Sequence, residues 1–327
     1  MQQSVLLALA MAAAAHGAVD NSKLSPLRFR EDGTFHISVF SDLHLGIFLL
    51  TDANSARGPK QDAKSVSVLA TVLAIEDPDF AVINGDLING DDTRVANSTH
   101  YIDQIVKPLV DRNLTWGSTY GNHDGQPNLS GELLLAREQT FPGARTQNMV
   151  PSDGGAAGST NYFVPVFSAT CEDKRGVDPN RQPGINEETS SPQAQGWCES
   201  DTRGCPYGKQ DTAFMKAIAS TKGMMGLFSG HDHANSWCYK WDGELPGVEA
   251  KGNGINLCYG QHTGYGGYGD LIRGSREILV SLDKLKDLVI DSHIRTEWGY
   301  VINPISLNAT YGEDLYPVSP NDKTYLE

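Results

Sequence analysis

Four short polar motifs carry the residues of this chain best suited to chemistry: Asp42-x-His44, Gly85-Asp86, Gly121-Asn122-His123-Asp124 and Gly230-His231-Asp232-His233. Carboxylate, imidazole and amide donors without a thiolate suit divalent Mn, Fe or Zn ions. Two such ions about 3.5–4 Å apart hold a hydroxide nucleophile between them and clamp the oxygens of a phosphoryl group. Holding like charges that close needs a bridging carboxylate, and Asp86 is the natural candidate. Singly, each motif reads as a turn; all four in this order, each at the end of an apolar run, read as one site.

The elements that must position them follow from periodicity. Phe35–Ser41, Phe80–Asn84, Leu114–Tyr120 and Met224–Ser229 are short apolar strands that run directly into the four motifs. Side by side and roughly parallel, they bring the motifs to one sheet edge, where ligands bind in open α/β architectures. Between them, apolar residues at helical spacing predict helices over Ala63–Ile75, Thr99–Arg112, Glu132–Gln139 and Asp211–Ser220. The remainder is β-rich: Ser236–Trp241, Ile255–Tyr259, Glu277–Leu282 and His293–Gly299. Residues 150–208 are irregular apart from Asn161–Phe167, an uncommonly long coil for a compact domain.

Composition narrows the class. The 327 residues suffice for one sizeable core, and no run reaches the roughly 18 apolar residues of a spanning helix. With 26 basic and 40 acidic side chains the formal net charge is −14, which repels nucleic acid and anionic membranes. Residues 1–18, with an apolar run from Val5 to Ala15 and small residues after it, read as a signal peptide. That leaves 19–327 as a single domain, expected in a secreted or vacuolar setting. Sequons at Asn97, Asn113, Asn128 and Asn308 agree with a glycoprotein. Cys198–Cys205 and Cys238–Cys258 are the expected disulfides, and Cys171 has no partner.

The four motifs in this order resemble the calcineurin-like metallophosphoesterases, over about residues 34–300. The resemblance implies a two-sheet β-sandwich flanked by helices, acting on small phosphate esters as a mono- or diesterase. It implies one metal on Asp42, His44, Asp86 and His233, and a second on Asp86, Asn122 and His231. His123 would be the acid that protonates the leaving oxygen, with Asp124 orienting it. Gly264–Gly269, beside His262, resembles a pocket-lining stretch of secreted fungal-type members; its other reading is a Gly-rich turn. Purple acid phosphatases lack the Asp-x-His motif and keep a tyrosine three residues after the bridging aspartate. That position is Asn89 here, so the resemblance does not extend to a ferric tyrosinate centre.

The same resemblance implies a further histidine ligand between the Asn-His and His-x-His motifs, yet no histidine lies between Asp124 and Gly230. The second metal site is therefore expected to be incomplete. A missing segment with its junction near Val166–Ala169 would remove one or two core strands along with the ligand. His262 is a poor replacement, since the family uses that region for its pocket. The alternative to an impaired hydrolase is an inactive chain that serves as a one-metal or metal-free binding protein. A zinc amide hydrolase is a third reading, but it gives Asn122 no role.

Overall fold

The computed structural model describes residues 27–47, 57–93, 95–125, 130–148, 160, 179–187, 212–245 and 248–326. The expected signal peptide, the sequon at Asn128, Cys171, Cys198 and Cys205, the strand at 161–167 and the junction at 166–169 lie outside the described residues.

The first half alternates strand and helix: β1 (Thr34–Ser41), α1 (Arg57–Glu76), β2 (Phe80–Asn84), α2 (Val95–Asp111), β3 (Trp116–Thr119) and α3 (Gly131–Glu138). Parallel strands need such crossovers, and β1, β2 and β3 are parallel neighbours. Then come α4 (Thr212–Ser220), β4 (Gly226–Ser229), β5 (Cys238–Trp241), β6 (Ile255–Tyr259), β7 (Gly274–Ser281), β8 (Ile290–Thr296) and β9 (Val301–Leu307). Two sheets result, ordered β3-β2-β1-β7-β8-β9 and β4-β6-β5. The far-C-terminal β7 lies antiparallel to β1, so the ends of the described chain complete one sheet.

Side-chain alternation explains the layering. On β1, Phe40 faces the helices while Val39 faces the second sheet; on β2, Ala81 and Ile83 take the first direction, Phe80 and Val82 the second. This period of two is what a strand buried on both faces requires. Leu69, Leu73, Ile102, Ile105 and Leu109 of α1 and α2 close the helical layer. Between the sheets, Val39, Val82 and Ile278 meet Phe228 and Cys258. Met215 and Ile218 of α4 cover the outer face of the small sheet with Leu227, Ile255 and Leu257. Each fully buried aliphatic side chain contributes about 1.5–3 kcal/mol. The fold is thus the expected two-sheet α/β sandwich flanked by helices.

Two features join the sheets. Arg276 of β7 is fully buried and donates to the carbonyls of Tyr259 and Ser236 and to Ser292 Oγ. Ser41, the last residue of β1, bridges to His262 beyond β6. Within the small sheet the expected Cys238–Cys258 disulfide is present, linking directly opposed residues of β5 and β6.

Candidate metal centre

Register fixes the site. Ser41 pairs with Asn84, and Asn84 with Thr119, so β1, β2 and β3 stop level with one another. The next residues form a ladder of their own: the His44 N–H donates to the Asp86 carbonyl at 2.9 Å, and Leu45 to Leu87 at 3.0 Å. Asp42, His44, Asp86 and His231 all adopt left-handed φ, at 57°, 48°, 47° and 77°. Four such non-glycine residues at one sheet edge store local strain, and strain of this kind gathers at functional sites.

The carboxylates are held by backbone donors. Asp86 Oδ1 accepts from the His123 N–H and Asp42 Oδ1 from the His231 N–H, each at 2.9 Å. Gly121 permits the first approach, because a Cβ there would stand 2.2 Å from Asp86 Oδ1. Thus each of the last two motifs grips a carboxylate from one of the first two.

Two sets of donor atoms come together, each within 4.8 Å: Asp42, His44 and His233, and His44, Asp86 and His123. His44 Nε2 lies 3.6 Å from Asp86 Oδ2, and His233 Nε2 lies 3.8 Å from Asp42 Oδ1. His231 belongs to neither set, and Asn122 is exposed on its turn. His123 stands edge-on to the His44 ring, with centroids 4.9 Å apart.

Asp124, expected to orient His123, meets the loop that carries that residue. Both its oxygens are taken by backbone amides, Oδ1 by Ile88 at 2.9 Å and Oδ2 by Gly121 at 2.8 Å, while His123 Nδ1 is buried without a partner. Asp124 therefore fixes the loop that presents His123.

The electrostatics suit a cation. Burial pushes the Asp42 carboxyl well above the usual carboxylate range, and the Asp86 charge beside it pushes the same way. Burial likewise lowers His44, and drives His233 well below the ordinary imidazole value with help from His44. The pocket thus crowds carboxylates against neutral imidazoles. The Nε2 atoms of His44 and His233 are 3.2 Å apart; two nitrogens each about 2.1 Å from one tetrahedral or octahedral ion would be about 3.0–3.4 Å apart. Donor types and spacing both fit a divalent metal.

Residues outside the four motifs complete the surroundings. Asn89, three residues after Asp86, turns Oδ1 toward His44 Nδ1 at 3.4 Å. Tyr268 and His262 pack on the His233 ring. Nothing in the spacing of 233, 262 and 268 announces that contact; the Gly-rich run between the last two was the available signal.

Sheet order, aligned strand ends and the clustered donors define a metallophosphoesterase, and the chain belongs to the calcineurin-like phosphoesterase family, which matches residues 35–235. It is similar to Probable inactive purple acid phosphatase 14 of Arabidopsis thaliana, at 25% identity over 79% of this chain and 78% of that protein. Phosphatase DCR2 of Saccharomyces cerevisiae is 31% identical over 43% of this chain and 25% of its own length. Among solved structures, a dimetal phosphatase from Danio rerio aligns over 84% of this chain and 98% of its own, at 13% identity and a TM-score of 0.47.

Proposed function

We propose that this chain hydrolyses small phosphate esters, mono- or diesters, with divalent metal ions held at the edge formed by β1, β2, β3 and β4. The observation that carries this reading is the meeting of Asp42, His44 and His233, with Asp86 3.6 Å from His44 Nε2 in an adjoining set. These four would hold one ion. Asp86 would be shared with a second, whose other donors are Asn122 and His231. Bound ions would supply Lewis-acid polarisation of the phosphoryl group and activation of water. The protein's part is to keep the imidazoles neutral, which burial accomplishes, and to hold and aim the carboxylates, which the backbone amides of His123 and His231 accomplish against the cost of burial. His123, edge-on to His44 and not needed by the first ion, would pass a proton to the leaving oxygen.

A second reading has an observation of its own. With Asn122 exposed, His231 outside both donor sets and no histidine between Asp124 and Gly230, the second ion has fewer donors than the first. A chain loaded with one ion would bind phosphate without turning esters over. Elemental mass spectrometry of the purified protein, run beside release of 4-nitrophenol from its phosphate mono- and diester, separates the two. Close to two ions with metal-dependent release supports the hydrolase. One ion without release supports the binding protein, and no bound ion after reconstitution would sink the hydrolase and leave only the metal-free form of the binding protein.

We further infer that residues 19–327 act as one domain in an oxidising, secretory setting. Pairing of β7 with β1 supports the first. The Cys238–Cys258 disulfide and the exposed sequons at Asn97 and Asn113 support the second. Among the described residues no helix is long and apolar enough to cross a membrane. A shift in mobility on glycosidase treatment of the native protein checks the setting; an unglycosylated native chain would count against it.

A further inference from the structure

The His233 imidazole is gripped on both faces. Tyr268 stacks on it with centroids 4.1 Å apart and planes 10° from parallel, and His262 lies 3.9 Å away at 34°. Two rings this close cannot share one face, so His233 is the middle of a three-ring stack. Its Nδ1 lies 2.9 Å from the Tyr268 carbonyl, which fixes the proton there and leaves Nε2 as the donor atom.

The segment bearing these rings is itself pinned. Thr263 N–H donates to the Ser41 carbonyl, Tyr265 N–H to Ser65 Oγ, Gln61 Nε2 to the Tyr265 carbonyl, and Arg273 to the Gly269 carbonyl. Between the stacking residues, Gly267 has φ +71°, and a Cβ there would stand 2.6 Å from His233 Cε1 and 3.1 Å from His44 Cδ2. The backbone is pressed against both donor rings.

His262 poses a problem that this clamp resolves. It is 2% exposed, and neither ring nitrogen makes a hydrogen bond of good geometry, although the Asp42 backbone lies near the ring; a buried group left unsatisfied costs about 1–3 kcal/mol. It also lies outside both sets of donor atoms. A nitrogen role would call for a partner; a flat ring of this size against His233 does not.

We propose that His262 and Tyr268 are positioning residues that lock His233 by stacking on its two faces, His262 through its ring and not through its nitrogens. The inference rests on the metal reading above. The test measures the affinity of the full-length protein for Co(II) alone, by its visible absorption, for the parent and for His262→Phe, His262→Ala and Tyr268→Ala. Circular dichroism and thermal midpoints accompany each. Loss of a face of the stack in either alanine variant is expected to weaken Co(II) binding about 10–100-fold, the range found for residues that orient metal ligands. His262→Phe, which keeps a ring and removes the nitrogens, should bind within a few-fold of the parent and melt no lower.

If His262→Phe binds as poorly as His262→Ala, the nitrogens matter and the proposal is wrong. Alanine variants that bind as tightly as the parent overturn it equally. Should His262→Ala fail to fold, Tyr268→Ala decides, because that side chain is half exposed and its loss leaves the core intact. A parent that binds no Co(II) defeats the metal reading and this inference together, whereas a binding parent with indifferent variants defeats this inference alone.

Discussion

The Nε2 atoms of His44 and His233 face one another across 3.2 Å. Each tautomer follows from the partner on the far side of its ring. The Tyr268 carbonyl takes the proton of His233 Nδ1. Asn89 Oδ1 faces His44 Nδ1, and the Asn89 amide is oriented by donating its Nδ2 hydrogen to Asp92 Oδ2. Both Nε2 atoms are therefore acceptors. Two acceptors at this distance, beside the buried Asp42 and Asp86, repel unless a cation lies between them.

Chelation should therefore destabilise the folded protein beyond the simple loss of a ligand. A bound ion at about 100 times its dissociation constant stabilises by about 2.7 kcal/mol through mass action alone. The thermal midpoint is expected to fall on treatment with EDTA and to recover with added Mn(II) or Zn(II). A midpoint indifferent to both would mean that the two histidines share a proton and not a metal.

Asp86→Asn is expected to empty the site. Asp86 lies within reach of His44 and accepts the His123 amide, and His44 joins its donor set to that of Asp42 and His233. The amide keeps the shape and removes the charge. Metal content should drop to background with ester hydrolysis, while the far-ultraviolet circular dichroism is unchanged. Full metal content in Asp86→Asn would make the shared-ligand assignment wrong.

His123→Ala is expected to separate binding from turnover. His123 is close to Asp86 and His44, but Asp42, His44, Asp86 and His233 suffice for one ion without it. Loss of a general acid costs about 10²–10⁴ in rate, so kcat should fall in that range with metal content retained. Because Asp124 holds the loop through Ile88 and Gly121, Asp124→Asn should act differently, lowering stability as well as rate. A His123→Ala protein that loses its metal would place His123 among the ligands.

What the sequence disclosed and withheld divides along physical lines. Strands that end in the motifs were legible because apolar runs bounded by glycine and aspartate leave little choice; Ile255–Tyr259 was read to the residue. Helix α1 begins at Arg57, not Ala63, because its first turns are polar and carry no apolar period. It ends where expected, Asp77 taking φ 45° before Pro78. Strand β9 went unread: Pro304 falls in its middle and argues against a strand. As the edge of the six-stranded sheet, β9 tolerates a proline that a central strand would not. Contacts between distant residues were out of reach. Asp124 beside His123 in sequence suggested a pair, yet its oxygens go to the amides of Ile88 and Gly121.

Glu76, at the end of α1, gives the fold an acid limit. Burial alone would raise its carboxyl, but hydrogen bonds from His293 and Arg295 of β8 outweigh burial and hold it down at about 2, against an ordinary 4.5. His36 of β1 approaches the other oxygen at 3.6 Å and also contacts Glu277 of β7. A carboxyl whose pKa is lower in the folded chain takes up its proton first when unfolded. Its contribution is therefore complete above about pH 4.5 and is lost as the pH falls toward about 2. At 1.36 kcal/mol per unit, the contribution is at most about 3 kcal/mol near neutrality. Glu76→Gln should thus lower the free energy of unfolding in urea by about 2 kcal/mol at pH 7, with the gap to the parent shrinking near pH 3. A gap of the same size at both pH values would trace the loss to packing at the end of α1 and not to the charge of Glu76.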